Sequence, residues 1–292
     1  TTKIVRFAPA WNVTELIDIL LFVNNSSILY EWSGGQGTYA SSTSTTIVLN
    51  ETLASGRWLT SGTRLIRVKD SGGTWREFTV TSQTASTFTV TEDPTAYTFA
   101  AGAIVVQSVR SNATTPASGF TNDVIKVFQN QAIIGSNTSQ RLYVSSNISY
   151  TTYTFSSPRI AGEGALITLD ATVLGLEIPG TKETDNENKI IVFCQGNRGY
   201  KVSFEISPGS TADREVPRVK PLSLAEGQGA LSQELIAKVG QTIVWVSNDK
   251  QLLDLAQIES ADFADNVAIS DQVQPDFTGA TFTNGWIKFW RN

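Results

Sequence analysis

Residues 189–204 read KIIVFCQGNRGYKVSF, and they decide the fold class. The first part is a run of β-branched and aromatic side chains, Ile190 to Phe193. The last part sets Tyr200 and Val202 among polar residues, with Gly196-Asn197 supplying turn chemistry between. Two adjacent strands joined by a short polar turn are the natural reading. Three further segments have the same form: DILLFVNNSSILYEW at 18–32, VIKVFQNQAII at 124–134 leading to RLYVS at 141–145, and QTIVWVSNDKQLLDL at 241–255. Elsewhere short apolar runs alternate with Gly, Asn, Ser and Asp, as at Arg64–Val68, Glu77–Val80, Thr87–Val90 and Ile104–Val106. Helix signals are confined to Gln233–Lys238, where a turn or two is expected. The sequence predicts an all-β protein.

The hairpins at 124, 189 and 241 recur every 50 to 65 residues, an interval that suits successive propeller blades of about four strands. Residues 44–109 differ in composition. They are rich in Thr and Ser and are punctuated by Ser61-Gly62, Asp70-Ser71-Gly72-Gly73 and Asp93-Pro94. The expected organisation is a partial β-propeller-like domain over 1–43 and 110–292, with a small β-barrel or sandwich inserted at 44–109.

Composition narrows the function. The 292-residue chain is 40% hydrophobic, enough for a sizeable core, and only 17% charged, against roughly 25% in ordinary soluble chains. A neutral, hydroxyl-rich surface packs against other subunits without desolvating charge. The net charge is −5 with no dense Lys/Arg cluster, so no nucleic-acid binding is expected. The longest apolar run, Ile17–Val23, holds Asp18 and is far shorter than the ~20 residues of a membrane span; no such span and no secretory signal is expected.

There are no histidines and one cysteine, which excludes Ser-His-Asp and Cys-His relays, a disulfide framework and the common zinc sites. Cys194 reads as a core thiol. Carboxylate-pair chemistry survives, and Glu163 and Glu226 are the residues to inspect; both sit beside glycines and read as solvated turn residues. The acidic positions Asp254, Glu259, Asp262, Asp265, Asp271 and Asp276, and the run Asp185-Asn186-Glu187-Asn188, lack Ca²⁺-loop spacing. Gly34-Gly35 and Gly227-x-Gly229 lack the phosphate-loop pattern. No catalytic, cofactor or metal site is therefore expected. Trp58 and Trp75 read as core of the inserted module, where exposed aromatics would instead point to sugar stacking. Trp286, Phe289 and Trp290 are core strand residues or a subunit interface, since Trp dominates interface hot spots.

The phrases VFQNQAIIGSNTSQRLYVSS (127–146), NKIIVFCQGNRGYKVSF (188–204) and EGQGALSQELIAKVGQTIVWVSNDKQLLDL (226–255) resemble the propeller-bearing tail proteins of tailed bacteriophages, of the nozzle or tail-hub kind. The Thr-rich insert is similar to the small β-barrels that decorate phage tail rings. Residues 276–292, DFTGATFTNGWIKFWRN, look like the first strand of a further blade. The resemblance implies a virion structural protein, not an enzyme, that assembles with copies of itself as a ring and docks other tail proteins. It would reside in the virion tail, assembled in the host cytoplasm. The rival readings are a carbohydrate-binding host-adhesion module and a carboxylate-based glycan hydrolase.

Overall fold

The computed structural model describes residues 5–55, 57–112, 116–157, 159–179, 189–208, 212–222, 224 and 226–256. These build an all-β protein of four antiparallel sheets and one closed barrel. By compactness the chain divides into two units, 1–6, 24–27 and 116–292 in one, 7–23 and 28–115 in the other.

The second of these units contains a sheet interrupted by a barrel. Strands β1 (Arg6–Asn12), β2 (Ile17–Val23) and β3 (Leu29–Trp32) run in sequence, and the fourth strand joins only after the barrel is complete. The barrel strands are β4 (Gln36–Ser42), β5 (Thr46–Leu49), β6 (Arg64–Lys69), β7 (Trp75–Thr84), β8 (Thr87–Val90) and β9 (Ile104–Gln107), closed in the order β4-β5-β8-β7-β6-β9. Strand β10 (Arg110–Asn112) then pairs with β3, Arg110 opposite Glu31. The barrel strands alternate because one face meets solvent and the other fills the interior. Ile66, Val68, Phe78 and Phe88 are all but fully enclosed. The insert begins at Gln36 where 44 was expected, because β4 is needed to close the barrel. The N-terminal sheet divides with this barrel, where the sequence placed it with 110–292.

The barrel is built twice over. Its second half follows the first at a displacement of 41 residues, as Thr38 to Thr79 and Glu51 to Glu92. Leu49 N donates to Ser86 O and Val90 N to Thr45 O, both at 2.8 Å, an exchange that maps onto itself when the halves are swapped. Glu51 accepts from Thr38 N (2.7 Å) and Oγ1 (2.6 Å), and Glu92 accepts from Thr79 N (2.5 Å) and Oγ1 (2.7 Å). Each half carries a bulge at the matching place, Tyr39/Ser41 and Val80/Ser82. Each then makes a 3₁₀ turn, Leu53–Ser55 and Pro94–Ala96, followed by an aromatic turned to the core, Trp58 and Phe99.

The first-mentioned unit holds three meanders: β11 (Val124–Phe128), β12 (Gln131–Gly135), β13 (Arg141–Val144) and β14 (Ala165–Thr168); β15 (Val173–Glu177), β16 (Lys189–Cys194), β17 (Arg198–Ser207) and β18 (Arg214–Pro221); β19 (Ile236–Val239), β20 (Thr242–Val246) and β21 (Leu252–Asp254). The β11–β12 hairpin turns on Gln129 and Asn130, both at positive φ, the two-residue geometry that suits strand twist. The sheets stack face to face, and β16 shows why its sequence is apolar throughout. Ile190, Val192 and Cys194 pack with Val124, Ile133 and Leu142 of the preceding sheet. Ile191 and Phe193 point the other way, to Ile243, Trp245 and Leu253 of the next. Trp245 is fully enclosed, its ring 4.9 Å from Phe193 and its Nε1 donating to Gln228 O at 2.8 Å.

The helical turn expected at Gln233–Lys238 is corrected. Only Gln233–Leu235 is a 3₁₀ turn, and Ile236–Val239 is strand because it pairs along β20. None of the described residues forms a helix long and apolar enough to cross a membrane.

Candidate binding cleft and aromatic sheet face

Two surface features stand out, both in the barrel-containing unit. The first is a cleft of about 620 Å³ where the β1–β2 turn meets the loop after β5 and the β7–β8 turn. The loop is fixed at several points. Leu53 N donates to Ala85 O (2.7 Å), and Trp58 enters the core edge-on to Phe88, ring centroids 4.9 Å apart. An ideal Cβ on Gly35 would stand 2.8 Å from the Trp58 ring, so that glycine serves close packing. Leu59 N donates to the buried Gln107 Oε1 at 2.8 Å.

Glu15 then clamps the loop to the sheet. It accepts from Thr60 N (2.6 Å) and Ser61 Oγ (2.5 Å), and it faces Arg110 at 3.2 Å. Arg110 in turn donates to Glu31 Oε2 (2.6 Å) and Ser61 O (2.6 Å). These charges are buried, and each is matched by an opposite charge and by hydrogen bonds, the condition under which burial is tolerated. Arg64 donates to Thr60 O, and its burial pulls its pKa down from the ordinary arginine value.

Two groups at the cleft are left without partners. Gln83 Oε1 is buried and accepts no hydrogen bond. Arg57 is exposed, stands at φ 55°, and makes no ion pair among the described residues. A non-glycine residue in that left-handed region carries strain.

The second feature is the open face of the first sheet. Side-chain parity puts Phe7 and Trp11 of β1, Leu20 and Phe22 of β2, and Tyr30 and Trp32 of β3 on one side. Leu20 stands opposite Trp32 and Phe22 opposite Tyr30. Phe22 stacks on Tyr30 with centroids 4.9 Å apart, and Phe7 leans on Phe22 at 5.6 Å. Phe7 is 55% exposed, and Trp11 and Trp32 are 43% exposed each. The opposite side carries Ile19, Leu21, Val23 and Leu29, all buried.

Comparison with family models, with curated proteins and with solved structures finds no match.

The residues singled out in the sequence are scattered. Glu163 accepts from Ser156 N (2.7 Å), Ile160 N (3.1 Å) and Ser156 Oγ (2.8 Å), bonds that hold its carboxyl below the usual range. It organises a turn. Glu226 is exposed beside Gly227, whose φ of 79° fixes a tight turn against Asp249. Cys194 is a free thiol in the core, pushed up to about 12 by burial and then by Asp170, with Arg198 opposing. Asp254 accepts from Thr242 Oγ1 and from Ala256 N (2.8 Å). Trp58 is core, as expected. Trp75 is corrected: at 44% exposed it lies on the outside, because Phe78 and Val80 of its strand take the inward parity. Glu259, Asp262, Asp265, Asp271, Asp276, Trp286, Phe289, Trp290 and the run at 185–188 lie outside the described residues. No group of three metal-donating side chains occurs among the described residues. Sequence reasoning missed Arg57 and Gln83; the only local signal was an isolated Gly-Arg-Trp at 56–58.

Proposed function

We propose that this chain is a structural component of a bacteriophage virion tail, built on a partial propeller with an inserted barrel, that assembles with copies of itself as a ring and docks other tail proteins. The observation that carries the proposal is the open aromatic face of the first sheet. Six large apolar side chains on one side of a sheet, three of them close to half exposed, are what an assembling subunit presents before its neighbour covers it. The consecutive meanders and their face-to-face stacking fit the blade reading. So does the position of the barrel, which interrupts the first meander between its third and fourth strands. Heterologous contacts between copies close into rings, and Trp286, Phe289 and Trp290 are candidates for the other half of such a contact. The proposal includes no catalytic step, cofactor, metal or nucleic acid, and it places the protein in the tail after assembly in the host cytoplasm.

Light scattering with negative-stain imaging tests it. A ring of uniform copy number is the expected result, formed by the chain alone or with a second tail protein. The triple substitution Phe7→Ser, Trp11→Ser, Trp32→Ser should leave the fold intact and abolish the ring. A monodisperse monomer at every concentration, with tail proteins added, would sink the proposal.

A further inference from the structure

The proposed assembly makes no use of the cleft beside the barrel, whose chemistry points to a ligand of its own. Its volume, about 620 Å³, is in the range of small-molecule sites. The floor is apolar: Ile17, Leu53, Ala54 and Ala85, with an edge of Trp58. The lining also includes neutral residues able to hydrogen-bond, Thr60, Thr84 and Gln83. Gln83 Oε1 is a buried acceptor with no donor, and such a group is costly unless something supplies the proton. Glu15 is already engaged by Thr60, Ser61 and Arg110. The charge left to face an occupant is therefore Arg57, whose fork suits a carboxylate.

The duplicated barrel offers an internal control. At the positions 41 residues away, Leu53 is matched by Pro94, Arg57 by Thr98 and Gln83 by Ser42. That second loop turns on Asp93, whose Oδ1 accepts from Thr95 N (2.9 Å) and Oγ1 (2.7 Å), and it is tied to the β6–β7 turn, where Ser71 N donates to Thr98 O (2.9 Å). The halves agree in bulge, turn and carboxylate cap, and Thr84 of the cleft is matched by Thr43, while Leu53, Arg57 and Gln83 have no counterpart of their kind.

We propose that the cleft is a carbohydrate site that takes a short saccharide bearing a carboxylate. The acid group would pair with Arg57, a ring hydroxyl would donate to Gln83 Oε1, and the C–H faces of the ring would lie on the apolar floor. This proposal stands whether or not the chain assembles as a ring.

The test is calorimetric titration of the full chain with cellobiouronic acid and with cellobiose, a matched acidic and neutral pair. The acid should bind at least about ten-fold more tightly, the size of one charge-assisted hydrogen bond. Arg57→Gln should erase that difference, and Gln83→Ala should weaken both sugars, with melting curves unchanged. Saturation-transfer NMR on the unsubstituted chain is the second readout, and protein-to-sugar transfer should appear for the acid. Equal affinity for the two sugars, binding of neither, or insensitivity of the acid to Arg57→Gln overturns the proposal. So does a preference for an apolar carboxylate such as 4-phenylbutyrate over the sugar acid.

Discussion

The two halves of the barrel share a backbone plan and differ in what their connecting loops do. In both, a Glu reaches 13 residues back to a Thr and holds its N–H and its hydroxyl. In both, a 3₁₀ turn feeds an aromatic into the core. Yet the loop of the first half, from Thr52 to Ser61, is tied to the sheet through Glu15 and Arg110, while that of the second turns on Asp93 and is tied to the β6–β7 turn, where Ser71 N donates to Thr98 O. A duplicated scaffold supplies the same support at both places, so one copy of the loop can change without loss of the core. The largest expected test of this comparison is Trp58→Ala against Phe99→Ala. Trp58 is 4% exposed and fills the space left by Gly35, so its removal should cost about 3–5 kcal/mol. Phe99 is only half-buried, and its removal should cost less. Urea denaturation of both variants decides the point; equal losses would mean that the two loops support the core alike.

The next effect in size concerns the clamp. Arg110→Met leaves Glu15 and Glu31 facing each other's surroundings without their cation, with side chains 2% and 4% exposed. Breaking a buried pair in this way costs about 3 kcal/mol or more. The loss should be local. Hydrogen exchange at the Thr60 and Ser61 amides should quicken while the Thr95 amide, held by Asp93, keeps its protection. If both loops lose protection together, the halves open as one unit and the comparison fails.

How much of this was readable beforehand follows from which faces are buried. Barrel strands such as Arg64–Lys69 alternate inward and outward, so their period of two was plain in the sequence. The second strands of the stacked sheets, Gln131–Gly135 and Lys189–Cys194, are enclosed on both faces and read as continuous apolar runs. Strand β1 was illegible because Pro9 interrupts it, tolerable only because β1 lies at the sheet edge. Strand β4 was missed because QGTYASS carries one large side chain. The duplication is faint in the sequence for a related reason: what it preserves is polar, Thr38/Thr79 and Glu51/Glu92, while its core partners differ, Ile47 against Phe88 and Trp58 against Phe99. The cleft could not be read at all, since Arg57 and Gln83 come from different halves and meet only when the barrel closes.

The smallest expected effect isolates the element that the halves have in common. The two bonds from Thr38 hold the Glu51 carboxyl below its ordinary value. For Glu92 burial pushes upward, and the two bonds from Thr79 outweigh it, so that its carboxyl is lowered as well. A carboxyl whose pKa is lower folded than unfolded binds fewer protons in the folded state. Its contribution is complete above the unfolded value, about 4.3 for Glu, and is lost as pH falls through the folded one. Both caps should therefore weaken together in acid. Glu51→Gln and Glu92→Gln should each lower stability near neutral pH and flatten the acid limb of a stability–pH curve, and the double variant should flatten it by the sum, because the caps share no partner. A substitution that removes acid sensitivity on one side only would show that the second half keeps the Glu–Thr geometry without its energetic role, and the equivalence of the two scaffolds would then be one of shape alone.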